Sequence, residues 1–88
     1  MRGNIVLTRA YGGLPFRGRV WERHGDWIFV CNPASWEQAK RGESHPVAFP
    51  ADDVFQFDAE LHQRLADAVE HGQDVAPLWA QAKPVARD

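Results

Sequence analysis

The chain has 88 residues, 10 Lys and Arg against 12 Asp and Glu for a formal net charge of −2, a single cysteine and 44% hydrophobic residues. Its length falls short of the roughly 100 to 150 residues of a usual domain, which excludes paired enzyme domains and the repeated βαβ units of a dinucleotide-binding fold. One cysteine cannot close an internal disulfide, and no apolar run approaches the roughly 18 residues that span a bilayer.

At the start, Arg9 and Gly12 interrupt the apolar run Ile5-Val6-Leu7 before it reaches signal-peptide length, so a cytoplasmic protein without membrane contact is expected. Residues 5–8 read as a first strand, closed by the loop Tyr11-Gly12-Gly13-Leu14-Pro15. Residues 16–23 alternate with a period of two and predict a second strand. His24-Gly25 is the expected two-residue turn into a third strand over 26–31.

That turn pairs Arg23 with Asp26, Trp21 with Ile28 and Arg19 with Val30. It predicts a core face of Phe16, Gly18, Val20, Glu22, Trp27, Phe29 and Cys31. The opposite face then holds Arg17, Arg19, Trp21, Arg23, Asp26, Ile28 and Val30.

Asn32 as cap, Pro33 at the first helical position and Gly42 past the end predict a short helix. Strands follow over 45–49 and 54–57. Asp58 caps an amphipathic helix from Ala59 to about His71, with Leu61, Leu65, Ala68 and Val69 on one side. A second helix runs from about Val75 to Ala82, capped by Asp74, and the last residues are expected to fray.

Together these elements predict one α+β domain over residues 1–88. It comprises a small bent antiparallel sheet, or a partly open SH3-like β-barrel, of about five strands over 3–57 with a short inserted helix. Two C-terminal helices over 58–83 complete it. Charge is uneven: residues 1–44 carry seven Lys and Arg against four acids, residues 45–88 three against eight. A basic first half beside an acidic helical second half weighs against polyanions as ligands.

Little in the chain suggests catalysis. Cys31 falls on the predicted core face, where apolar surroundings make a thiol sluggish. None of the four histidines has zinc-site spacing, so no metal or cofactor is expected. Asp52 and Asp53 are adjacent, and neighbours on an extended chain diverge, so turn chemistry fits them better than paired acid–base work. Gly12-Gly13 lacks the residues of a phosphate loop.

The informative feature is the stripe Arg17, Arg19, Trp21, Arg23, joined by Ile28, Tyr11 and Trp36 as candidate partner-binding residues. Interfaces favour Trp, Tyr and Arg, so the stripe predicts a non-catalytic binding or regulatory protein that docks on a protein partner. The alternative is a nucleic-acid-binding module that uses the same arginines on phosphates and Trp21, Tyr11 or Trp36 on bases. Free edge strands are also compatible with a homodimer. The competing structural account covers Trp21, Ile28 and Val30 with the C-terminal helices through Leu61, Leu65 and Trp79. In that account the arginine heads meet Asp67, Glu70 or Asp74.

Overall fold

Five strands, β1 (Ile5–Arg9), β2 (Pro15–His24), β3 (Trp27–Cys31), β4 (Val47–Pro50) and β5 (Val54–Gln56), form one antiparallel sheet. Their order is β4-β3-β2-β1-β5 in the computed structural model, which describes residues 2–85. A single 3-10 turn (Ala51–Asp53) joins β4 to β5 at opposite edges of the sheet. The sheet is therefore bent towards a barrel and left open, as the strand pattern predicts.

The bend makes one face an interior. Val6 of β1, Val20 of β2, Ile28 and Val30 of β3 and Val54 of β5 form one buried cluster, closed over by Phe16, Phe49, Ala51 and Val85. Phe16 and Phe49 stack with centroids 6.2 Å apart. Gly18 lies among them because a Cβ there would overlap Val30.

The outer face is covered over β1 and β5 by helix α2 (Ala59–Glu70) and the single-turn helix α3 (Ala76–Trp79). Leu61, Leu65 and Trp79 close on Leu7 and Phe55. Leu7 and Leu65 are fully buried, and each contributes on the order of 2 kcal/mol by area. The caps form where the sequence puts them: Asp58 accepts from the Leu61 N–H at 3.1 Å, and Asn32 from the Ala34 N–H at 2.9 Å. Asn32 opens a 3-10 turn (Pro33–Ser35) that leads into α1 (Trp36–Lys40), and this segment packs beside β2.

Two features of the central hairpin correct the sequence reading. His24 pairs with Trp27, so the turn residues are Gly25 and Asp26. Only Gly25, at φ +60°, has a positive φ; a His24-Gly25 turn of the doubly positive kind would have forced His24 into the left-handed region. Trp21 is then the extra residue of a bulge between Val20↔Val30 and Glu22↔Phe29.

The bulge exchanges the faces of β3 relative to Phe16, Gly18 and Val20. Ile28 and Val30 join the interior, whereas Phe29 and Cys31 share the outer face with Arg17 and Arg19. Ile28 is fully buried and is not a docking residue. Arg23, beyond the bulge, pairs with Ile28 and leaves the stripe.

The chain end is also more ordered than expected up to Val85. The Gln56 N–H donates to the Lys83 carbonyl at 2.7 Å, and Phe55 bridges to Pro84. Fraying beyond that point falls outside the described residues.

Candidate functional site

β2 presents Arg17 and Arg19 two residues apart on the outer face, followed by the bulged Trp21. The N-terminal stretch runs alongside, with the Gly3 N–H donating to the Val20 carbonyl at 2.7 Å and the Val20 N–H to the Asn4 carbonyl at 2.9 Å. That pairing delivers Arg2 to the indole of Trp21, with Cζ 4.3 Å from the ring centroid. Trp36, carried in by α1, meets Trp21 edge-on at 5.5 Å.

Each remaining guanidinium of the face also lies over a ring. Arg19 sits 4.8 Å from the centroid of Trp36, and Arg17 sits 5.2 Å from that of Phe57. The Arg19 Nε is buried without a hydrogen-bond acceptor. Stacking on Trp36 therefore sets its position, offsetting an unmade hydrogen bond that costs about 1 to 3 kcal/mol.

Among the described residues, Arg2, Arg17 and Arg19 have no carboxylate partner. Ion pairs lie elsewhere, among them Arg9 with Asp53 at 2.8 Å, Lys40 with Glu37 at 3.3 Å and Arg41 with Glu43 at 3.2 Å. Three cations, each over an aromatic ring and with no carboxylate partner among the described residues, make this face electropositive on a chain of net negative charge.

The competing structural account fails in its particulars. Trp21 is partly buried, but α1 covers it, while Leu61, Leu65 and Trp79 are engaged over Leu7 and Phe55. Asp67 and Asp74 accept hydrogen bonds from Gln63 and from the Ala76 N–H, not from arginine.

The structure does not assemble all seven candidates. Arg17, Arg19, Trp21 and Trp36 lie together. Tyr11 is 99% exposed on the 3-10 turn before β2, at the opposite end of that strand from Trp21, roughly 20 Å away along the strand. Arg23 lines a polar cleft with Asp26, Pro50, Ala51 and Asp52, and its Nε donates to the Gly25 carbonyl.

Arg2 and Phe57 are the two members that sequence reasoning missed. Arg2 precedes any periodic pattern, and Phe57 reads as a strand residue but lies just past β5.

Other groups offer little chemistry. Cys31 lies across from Arg19 and is 4% exposed. Burial pushes its thiol pKa up, with the charge of Arg2 pulling weakly the other way. Asp52 and Asp53 lie on the 3-10 turn, where Arg9 holds the Asp53 carboxylate and the Asp52 carbonyl. Among the described residues, no cluster of three His, Cys, Asp or Glu side chains is placed to hold a metal, and no helix is long and apolar enough to cross a membrane. Neither a family model, a curated protein nor a solved structure matches the chain.

Proposed function

We propose that this chain is a small non-catalytic docking module that binds a protein partner through the outer face of β2. The observation that carries this reading is the set of guanidinium groups of Arg2, Arg17 and Arg19, each over a ring and none with a carboxylate partner among the described residues. A guanidinium on an aromatic face keeps its in-plane donors for bidentate acceptors, the geometry by which Arg anchors interfaces.

Nucleic acid is the rival ligand, since phosphates suit the same donors. It is disfavoured by Glu60, Asp67 and Glu70, exposed on α2, which packs on the same side of the sheet. Two measurements decide. Wild-type protein should capture a partner that the Arg17→Ala/Arg19→Ala double variant loses while its melting temperature is unchanged. Labelled single- and double-stranded DNA and RNA should fail to bind at low salt. Capture indifferent to both arginines, or oligonucleotide affinity that falls steeply with salt, would overturn the reading.

A further inference from the structure

We infer that the occupant of this face is a second copy of the chain, turned about a two-fold axis so that the arginine face of each copy meets helix α2 of the other. The inference rests on the docking reading above and names its partner.

Two opposite charges share one side of the sheet. Helix α2 packs Leu61 and Leu65 onto the outer face over β1 and β5, and it leaves Glu60, Asp67 and Glu70 exposed. Arg64 is its one Lys or Arg, so the solvated stripe stays acidic. Arg2, Arg17 and Arg19 lie beside it along β2. Neither group neutralises the other within the chain: the guanidinium groups are held over Trp21, Phe57 and Trp36, and among the described residues no ion pair joins the three acids to a cation.

This pattern selects its ligand. An acidic segment is repelled by α2 and a basic one by the arginines, whereas a surface that carries both signs in the reverse order is attracted by both. A second copy presents that surface after a half-turn. In such a contact residue i meets j and j meets i, so both sets of charges are satisfied twice.

Apolar surface continues the face. Phe29 and Trp27 lie on the outer side of β3, next to β2, and belong to neither buried cluster; Trp27 is 52% exposed. A stable interface takes roughly 800 Å² from each partner, about a seventh of the 5675 Å² that the chain exposes. Three guanidinium heads supply too little of that, so the contact runs from α2 across β2 to these two rings.

Sedimentation equilibrium of the full chain should show a monomer–dimer equilibrium that stops at the dimer. Its dissociation constant should rise about tenfold or more between low salt and about 1 M salt, where charges more than about 3 Å apart are screened. Arg2→Glu/Arg17→Glu makes both sets of charges acidic and Asp67→Lys/Glu70→Lys makes both basic, so each variant alone should be monomeric. All four positions are exposed, and circular dichroism checks that each variant folds. Mixed in equal amounts, the two variants should form a heterodimer, because every acid then faces a cation. If a reversal unfolds the chain, Arg17→Ala and Asp67→Asn make the same test, each weakening the dimer.

A chain that stays monomeric, a dimer indifferent to either set of substitutions, or reversed variants that do not pair when mixed overturns the inference. So does mass that grows past the dimer, the mark of a head-to-tail contact. Should the chain be monomeric while arginine-dependent capture of another protein persists, this inference fails and the docking reading stands. Self-association and capture that are both indifferent to the arginines remove both.

Discussion

The indole N–H of Trp79 donates to the Gly13 carbonyl at 2.7 Å, a bond that spans 66 residues and ties the last helix to the first turn. Trp79 is 3% exposed within the cluster of Leu7, Phe55, Leu61 and Leu65, so its ring fills the outer core while its nitrogen satisfies a loop carbonyl. Trp79→Phe keeps most of the apolar contact and orphans that carbonyl. It should cost about 1 to 3 kcal/mol in urea unfolding. Trp79→Ala should cost about 3 to 5 kcal/mol by opening a cavity. A Phe variant as stable as wild type would show that the bond contributes nothing.

Gly18 is required for close approach, not for an unusual backbone angle. A Cβ there would overlap Cγ1 of Val30 and come within 3.2 Å of the Cys31 carbonyl. Gly18→Ala should destabilise the domain by about 1 to 3 kcal/mol through overpacking. Combining it with Val30→Ala removes the overlap, so the double variant should lose less than the two single losses together. Strict additivity in denaturant melts would mean that the two side chains do not meet.

The sequence made the five strands, the caps at Asn32 and Asp58 and the shared outer face of Arg17 and Arg19 legible, because each depends on local chemistry or on alternation; the rings that they stack on were not. The faces of β3 were not legible in the same way. Moving the turn by one position shifts the pairing by two residues and keeps the faces, and Gly25 fits either position of a two-residue loop until the φ of His24 is considered; it is the one extra residue at Trp21 that puts Ile28 and Val30 on the face of Val20. The bulge at Trp21 has no sequence signature either, yet it moves Arg23 off the stripe. Arg2 over Trp21 arises from tertiary pairing of Gly3 and Asn4 with Val20, which periodicity within a single segment cannot reveal.

Cys31 should show both kinetic and thermodynamic marks of burial. Desolvation raises its thiol pKa, against a smaller opposing effect of Arg2. As pH rises, the unfolded thiol ionises first. Between the unfolded and folded pKa values, the folded chain holds a proton that the unfolded chain has lost, so stability falls across that window and is unaffected below it. Cys31→Ala should flatten this alkaline decline. Iodoacetamide should modify the native thiol far more slowly than the urea-unfolded one, and equal rates would contradict the burial.

The outer edge of β5 is protected by the chain's own end. The Gln56 N–H donates to the Lys83 carbonyl, its side-chain amide donates to the Pro84 carbonyl at 3.3 Å, and the Val85 N–H reaches the Val54 carbonyl at 3.4 Å. Val85 also packs on the interior cluster. Ending the chain after Ala82 strips these bonds and leaves an unpaired strand edge, which is a template for association with other chains. The truncated protein should lose about 2 kcal/mol and scatter light on heating, whereas the full chain should not. The opposite edge, β4, is four residues long, follows Pro46 and ends in Pro50, so it resists the same pairing without a cover. A truncated chain that melts with the full one and sediments as a monomer would mean that the tail does not guard the edge.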